Sequence, residues 1–252
     1  MVAEWTAFPA GFVIATAATL TGFGGGILWM PYLVYLAKLE PAQAVVTSLI
    51  IQVGGMASGS IAVIRTRKID FRLSLYLAAG SFVGVPVGVW LSRFIPPESL
   101  VFILGVGCLA IALVFVYLQE SFGNAYVKRV SLRLAAPYLW LATLFSVFTG
   151  ILSMGIGDFL VPILRNRLRL TMEAAMGTCL VVMAMNAALA ATLHVMIGDT
   201  YALNTILWAI PGVLIGGQVG PRLAGRIEDQ TLKEIFIYGL SLAGIHFMFN
   251  NL

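Results

Sequence analysis

Charged residues are scarce in this sequence of 252 residues: Asp, Glu, Lys and Arg make up 10%, whereas 60% of the residues are hydrophobic. A soluble domain carries about 25% charged residues, so the composition excludes one and indicates a polytopic membrane protein. The two cysteines, Cys108 and Cys179, lie in apolar runs and imply no disulfide framework. The first nine residues hold no Lys or Arg, so we expect no cleavable signal peptide.

The sequence also lacks the side-chain sets that enzymes and metal sites need. Its two histidines, His194 and His246, have no second ligand at helical spacing, so we expect no metal and no cofactor. We find no nucleophile–base pair either, which argues against an enzyme. The net charge of +4 requires no nucleic-acid partner, because loops that obey the positive-inside rule account for it.

Eight apolar segments, named A to H, follow one another along the chain. They span residues 8–37 (A), 41–64 (B), 73–92 (C), 99–118 (D), 134–164 (E), 174–197 (F), 201–221 (G) and 232–250 (H). Six of them have the roughly 20 residues that a spanning helix needs. Segments A and E are longer, but each half of them would rise only about 20 Å as a helix, too short for a hydrocarbon core of about 30 Å.

Glycines interrupt segments A and E near their middles, at Gly22-Phe-Gly-Gly-Gly26 and at Gly155-Ile-Gly157. Each glycine costs a helix interior about 1 kcal/mol relative to Ala, so three in a row favour a break. At membrane depth, the freed backbone groups are tolerated only inside protein or around a wet cavity. A close helix-packing surface would also use glycine, but the recurrence of the break in both segments favours a substrate site.

The chain contains an internal repeat whose period is about half its length. Pro31 matches Pro162, and Ala44, Thr47 and Leu49 match Ala175, Thr178 and Leu180. All four matches have the same spacing along the chain, which we call the repeat offset. Gly80, Gly84 and Gly88 match Gly212, Gly216 and Gly220 at a spacing that is one residue longer. Such a period is typical of duplicated transporter halves. We therefore divide the chain into a first repeat at 1–120, a linker at 121–133 and a second repeat at 134–252. The regularly spaced glycines are interpreted as packing seams between helices.

Loop charges predict the orientation in the membrane. If every segment crosses once, the lysines and arginines divide seven against eight, which carries no signal. If A and E each enter and leave on one side, the loops after B, D, E and G share a face with thirteen of the fifteen, and the other face keeps Lys38 and Arg93. The positive-inside rule expects the second division, which makes the linker at 121–133 cytoplasmic and places both termini outside.

Each half then consists of one re-entrant broken-helix hairpin and three transmembrane helices. Because three crossings are an odd number, the second half starts on the opposite side of the membrane and has the opposite orientation. The predicted fold is therefore an all-α polytopic membrane protein with two inverted-topology repeats. The two glycine breaks enter from opposite faces and meet near the midplane. A helix that starts after each break directs free backbone N–H groups and a positive dipole end to that point, which favours an anion.

The residues around the first break, Gly22-Phe-Gly-Gly-Gly-Ile-Leu-Trp-Met-Pro31, resemble the signature of the sulfite exporter TauE/SafE family, and Ala44-Val-Val-Thr-Ser48 continues it. The second copy, Gly155-Ile-Gly-Asp-Phe-Leu-Val-Pro162 with Ala175-Met-Gly-Thr178, is similar but carries Asp where the family tends to continue with glycine. The resemblance covers nearly the whole chain. It implies a bacterial inner-membrane permease, a secondary transporter for sulfite or organosulfonates. An anion channel and a non-transport membrane scaffold subunit remain as alternatives.

Candidate substrate contacts come from the breaks and from polar residues on B and F. They are Gly24, Gly25, Gly26, Thr47, Ser48, Gln52, Gly155, Gly157, Asp158, Thr178, Cys179 and Asn186. Hydroxyl and amide groups hold sulfonate oxygens without a fixed charge, although Thr and Ser also bond commonly to carbonyls of their own helix. Matched positions in both repeats favour Thr47 and Thr178. Cys179 has a second interpretation as a small buried apolar residue.

Asp158 is an ionisable residue inside an apolar segment, which makes it a functional candidate. It is either a proton-coupling group that is neutral when the anion is bound, or the cap of a helix that begins at Phe159. Gly155-Ile-Gly-Asp158 also matches a pattern of intramembrane aspartyl proteases, but that chemistry requires a second carboxylate, and no other apolar segment has an acidic residue well inside it. The expected partners are a small sulfur-containing anion and the lipid bilayer, with a homodimer left open.

The predicted topology can be tested by single-cysteine labelling in whole cells, on a background in which Cys108 and Cys179 are replaced by Ala. Arg167→Cys should resist an impermeant thiol reagent, because the re-entrant interpretation of E places it in the cytoplasm, whereas Arg93→Cys should react. Equal labelling of the two positions would show that segment E crosses the membrane.

Overall fold

The computed structural model describes residues 4–22, 24–65, 69–117, 127, 129–154 and 157–224, with seven isolated positions between 234 and 245. The helices are α1 (Ala7–Thr21), α2 (Gly25–Pro31), α3 (Pro41–Arg65), α4 (Phe71–Ser92), α5 (Pro97–Tyr117), α6 (Leu132–Ala135), α7 (Leu139–Leu152), α8 (Gly157–Asn166), α9 (Met172–Met196) and α10 (Leu203–Leu223). Short 3-10 turns precede α1 and α7, and a π-helical turn, Tyr32–Leu36, extends α2. Within the described ranges every element is helical apart from one bridge between Val127 and Leu170.

Five helical stretches of the described chain are long and apolar enough to cross a membrane. They are Pro41–Arg65, Phe71–Ser92, Leu132–Leu152, Ala174–Met196 and Leu203–Leu223. Four correspond to segments B, C, F and G, and the fifth is the first part of E. The prediction of an all-α, multi-pass membrane protein is therefore confirmed. Most of segment H lies outside the described residues, so its crossing stays a prediction.

Both predicted breaks are present in the backbone. Helix α1 ends at Thr21, and Gly22 caps it in the left-handed conformation with φ +76°. Helix α7 ends at Leu152, and Ser153 caps it in the same conformation with φ +60°. A left-handed residue at a helix C-terminus lets its N–H bond back to a carbonyl of the last turn, here Ala18 and Thr149. The two breaks thus share one backbone geometry at positions that the repeat offset relates.

The residues at the two breaks take different backbone conformations. A positive φ is needed at Gly22, whereas Gly24 is extended at φ −70° and Gly25 already opens helix α2. After the second break, helix α8 begins at Gly157 instead of Phe159, so Asp158 lies in its first turn and not at the cap. An acidic residue in the first turn suits the positive end of the helix dipole.

The helices that follow the breaks also end alike. Lys38 and Arg169, which the repeat offset also relates, take φ +56° and +53°. The next residue in each case donates its N–H to a leucine carbonyl in the preceding helix: Leu39 to Leu33 at 2.9 Å and Leu170 to Leu164 at 3.1 Å. Left-handed conformations cost a bulky residue energy, so their recurrence at matched positions reflects the surrounding packing rather than residue type.

The spaced glycines are packing seams, as predicted. In α4, a Cβ added to Gly84 would overlap the carbonyl oxygen of Thr143 in α7. In α10, a Cβ added to Gly212 would overlap the carbonyl oxygen of Phe8 in α1. Small residues let the two backbones of each pair approach closely, which is how helices associate without a hydrophobic driving force in lipid. The helix before each break is therefore held by a glycine face, α1 by α10 and α7 by α4.

Candidate functional site

The two breaks contact one another in a reciprocal way. A Cβ added to Gly26, near the start of α2, would overlap the carbonyl oxygen of Ser153 at the end of α7. A Cβ added to Gly157, at the start of α8, would lie 2.9 Å from the carbonyl oxygen of Gly22 at the end of α1. Each new helix therefore begins against the last residue of the other broken helix. Glycine is required at both starts because the partner backbone occupies the space of a side chain.

A buried polar cluster surrounds the first of these contacts. The side-chain amide of Gln52 donates to the Ser153 carbonyl at 3.2 Å and to the Ser48 hydroxyl at 3.2 Å, and it also contacts the Ser153 hydroxyl. The Ser48 and Ser153 hydroxyls are 3.0 Å apart. All three side chains are at most 5% exposed. We call Ser48, Gln52 and Ser153 the break cluster.

Sequence reasoning found two members of the break cluster and missed the third. Ser48 and Gln52 were predicted, and the structure brings them together with Gly26. Ser153 was missed because serine rarely marks a left-handed cap. Its position, which matches Gly22 at the repeat offset, is the sequence signal that would have found it.

Helix α9 presents different chemistry to the second contact. A Cβ added to Gly22 would lie 2.7 Å from Met176, and one added to Gly157 would lie 2.5 Å from Met183. Cys179 falls between these methionines on the same helical face and is fully buried. Positions 48 and 52 of α3 match positions 179 and 183 of α9 at the repeat offset. The contact at Gly26 is therefore surrounded by hydroxyl and amide groups, whereas methionine side chains lie against Gly22 and Gly157.

The two matched threonines have different surroundings. The Thr47 hydroxyl donates to the Gln43 carbonyl at 2.7 Å and accepts from the Ala202 backbone N–H at 3.0 Å, so it ties α3 to the start of α10. The Thr178 hydroxyl is fully buried and has no hydrogen-bond partner in the part of the chain that the structure describes. A buried hydroxyl without a partner is costly, and of the two matched threonines only Thr178 is in this position within the described residues.

Asn186 lies in a separate polar cluster. It is about 10 Å further along α9 than Cys179, at 1.5 Å per residue. Its side-chain oxygen accepts from the Ser81 hydroxyl, and the Ser81 carbonyl accepts from the Ser146 hydroxyl at 3.2 Å. The structure thus places Asn186 between α9, α4 and α7, and not with the break cluster.

The remaining predicted residues belong to the breaks themselves. Gly24 immediately precedes α2, Gly155 lies outside the described residues, and the backbone of Asp158 forms part of the first turn of α8. Their contacts with a substrate stay predictions. Across the described ranges, no three His, Cys, Asp or Glu residues are grouped so that they could hold a metal ion.

Within the described ranges the chain is helical apart from one bridge, has five apolar stretches of spanning length and brings two broken helices into contact. These features define a multi-pass membrane protein, and the comparisons make it a membrane transporter. It belongs to the sulfite exporter TauE/SafE family, which it matches over residues 7–247. The resemblance read from the two break motifs is thereby confirmed.

Two proteins of Bacillus subtilis (strain 168) are similar over nearly their whole length. The probable membrane transporter protein YunE is 21% identical, with 96% of both chains covered. The probable membrane transporter protein YjnA is 24% identical, with 92% of this chain and 96% of the relative covered. No solved structure matches the chain.

Neighbouring glycines allow a matched test of the contact between the breaks. Gly26→Ala should destabilise the protein by about 3 kcal/mol, the upper range for an overpacked core, because its methyl group meets the Ser153 backbone. Gly25→Ala should fold normally, since its methyl group would lie 3.4 Å from Met56 and 3.5 Å from Gln52, which are ordinary contacts. Thermal unfolding in detergent measures both, and equal melting temperatures would refute the close contact at Gly26.

Proposed function

We propose that the protein is a secondary transporter, without enzymatic activity, that moves sulfite or a small organosulfonate across the bacterial inner membrane. The substrate binds where the two breaks meet, near the membrane midplane. The observation that carries this proposal is the reciprocal contact of Gly26 with Ser153 and of Gly157 with Gly22. Broken helices at membrane depth are a feature of transporter sites, and the family to which the chain belongs is named for sulfite export.

The chemistry of the site suits an anion that is bound and then released. The stretch Gly25–Leu36 and helix α8 both begin at the breaks, so their free N–H groups and dipoles contribute partial positive charge there. Ser48 and Ser153 have rotatable hydroxyl groups, and each can turn from the other toward a sulfonate oxygen. Because the break cluster contains no full positive charge, the anion is held by dipoles and is free to leave.

Thr178 and Asp158 complete the proposed site. The Thr178 hydroxyl, which lacks a partner among the described residues, gains one from the substrate. An ionised Asp158 beside the positive helix ends would repel an anion, so we propose that it is neutral when the substrate is bound. Protonation and anion binding at this site would then favour one another.

The proposed transport cycle uses an inverted repeat with both termini outside. The reciprocal contacts, the matched caps at Gly22 and Ser153 and the matched turns at Lys38 and Arg169 support two equivalent halves. The charge division of thirteen against two supports their opposite orientation. In alternating access, one half rocks against the other around a fixed site, so the contact between the breaks opens first to one side and then to the other.

Gln52→Met isolates the contribution of the break cluster. Met183 occupies the matched position on α9 and packs against Gly157, so a methionine at position 52 is expected to fit against Gly26. The change removes only the amide donor. A hydrogen bond to a charged group contributes about 1.5–3 kcal/mol, so affinity for a bound sulfonate should fall about ten- to hundredfold.

Gln218→Met is the matched control for this experiment. Gln218 also has an amide that donates to a serine: between α10 and α3, it contacts the Ser58 carbonyl and hydroxyl in a partly buried position. It lies outside the break cluster, so affinity should stay unchanged. Binding is measured by thermal shift of the purified protein with sulfite, thiosulfate, sulfate, taurine and larger sulfonates, and by uptake into proteoliposomes. Unchanged affinity in Gln52→Met would remove the break cluster from the site.

A further inference from the structure

A second polar site lies at the end of α9, away from the break cluster. A cavity of about 280 Å³ opens there between the first turn of α3, the ends of α4 and α7, and the loop that joins α9 to α10. Its lining includes the charged or titratable side chains of Arg93, His194 and Asp199. The neighbouring lining residues from α3, α5 and α7, such as Gln43, Leu100 and Ile151, are uncharged.

His194 makes two contacts with oxygen atoms: the Gly150 carbonyl can only accept a hydrogen bond, and the Asp199 carboxylate accepts one when it is ionised. Its Nδ1 lies 2.7 Å from a carboxylate oxygen of Asp199, and its Nε2 lies 2.9 Å from the backbone carbonyl oxygen of Gly150. The imidazole is 3% exposed, so water cannot replace either partner easily. A neutral imidazole has one N–H, whereas two acceptors require two. With an ionised Asp199, this geometry suits an imidazolium, which has an N–H for each acceptor.

An alternative proton position is less favourable. A protonated Asp199 could donate to Nδ1 of a neutral ring, but imidazole is ordinarily a much stronger base than a carboxylate. Asp199 is partly exposed, which keeps its ionised form solvated. Arg93, the other charged group that lines the cavity, donates at 3.4 Å to the Ile197 carbonyl.

The contact to Gly150 connects this pair to the break. Gly150 lies in the last turn of α7, three residues before Ser153 of the break cluster. Its Cα is pressed against α4, because an added Cβ would lie 2.6 Å from the Val85 carbonyl oxygen. Loss of one proton from His194 leaves the ring with a single N–H, so one of its two contacts must be lost. A hydrogen bond to an ionised carboxylate is stronger than one to a neutral carbonyl, so the remaining N–H stays with Asp199 and the contact to Gly150 is lost. Protonation then determines whether the end of α7 stays bonded to the end of α9.

We propose that His194 and Asp199 form a proton-binding site that couples proton uptake to movement of helix α7 and hence to the anion site. The coupling rests on the proposed transport function, whereas the proton site rests on the two contacts alone. In the protonated form the imidazolium fastens α7 and adds positive charge at the mouth of the cavity. Anion binding therefore strengthens when His194 takes up its proton, that is, as the pH falls.

Asp199→Asn is the informative variant because both ring nitrogens of His194 keep a hydrogen-bond partner while the ring stays neutral. An asparagine amide donates to the lone pair of Nδ1 in a neutral ring, whose Nε2–H still donates to Gly150. His194→Gln is the second variant, since glutamine cannot titrate but still offers an N–H to Gly150. The chain has only two histidines, so His246→Gln as a background leaves one imidazole to observe.

The proton site is tested by nitrogen-15 NMR of His194 in this single-histidine background. In the otherwise unchanged protein both ring nitrogens should give N–H-type shifts at low pH, and one should change to a lone-pair type as the pH rises. In Asp199→Asn the ring should stay neutral over the range in which the parent changes. A parent ring that remains neutral from about pH 8 to 5 would overturn the proton site.

The coupling is tested in an Asp158→Asn background, which removes the other proton that the proposed function links to anion binding, by the affinity of a strong-acid sulfonate whose own charge does not change with pH. Affinity should rise by up to about tenfold for each unit that the pH falls, the limit for one linked proton, and both variants should flatten this dependence. A pH dependence that persists in both variants would overturn the coupling. If no sulfur-containing anion binds but the NMR signatures appear, the proposed substrate fails while the proton site stands.

Discussion

The structure depends on one constraint: a helix that breaks inside a membrane must find protein partners for the backbone it frees. Water is not available there, and each unsatisfied group would cost several kcal/mol. The chain meets this constraint by placing its two breaks against each other, so that the end of each broken helix lies against the start of the other. Left-handed caps at Gly22 and Ser153 turn the chain at these points, and glycines at positions 26 and 157 leave room for the approach.

The two halves share their backbone at the breaks but not their side-chain chemistry. Helix α3 offers Ser48 and Gln52, whereas the matched face of α9 offers Cys179 and Met183. On the proposed function, an organosulfonate has the same division, because a charged head adjoins an apolar tail. Sulfite has no such tail and would leave Cys179 and Met183 without a substrate contact. The relative affinities for sulfite and larger sulfonates therefore report how much of the α9 face a substrate contacts.

Much of the architecture followed from residue patterns whose cause is local. Apolar length predicted the membrane helices, and glycine clusters located the two breaks. Regular glycine spacing predicted the seams, because only a close backbone neighbour makes such a pattern useful. Gly26 and Gly157 are also separated by the repeat offset, and each lies against the residue that caps the other broken helix.

The details of the site depended on contacts between distant parts of the chain. Ser153 holds a left-handed cap because Ser48 and Gln52, which lie in the other half of the chain, bond to it. Thr47 proved to fasten α10, a role that depends on where the Ala202 backbone falls. His194 had no partner at helical spacing, and its partners are instead a loop carboxylate and a backbone carbonyl. None of these partnerships has a signature in residue type or spacing.

The pairing of each broken helix with a glycine face also sets an order of assembly during synthesis. Helix α7 docks on α4, about 65 residues earlier, so its partner is already in the membrane when α7 leaves the ribosome. Helix α1 docks on α10, where Thr16 meets a carbonyl 200 residues further on. At a translation rate of about 5–20 residues per second, α1 waits roughly 10–40 s for its partner. During that interval its small-residue face is exposed to lipid or to the insertion machinery, which makes α1 the element most dependent on the cell for protection.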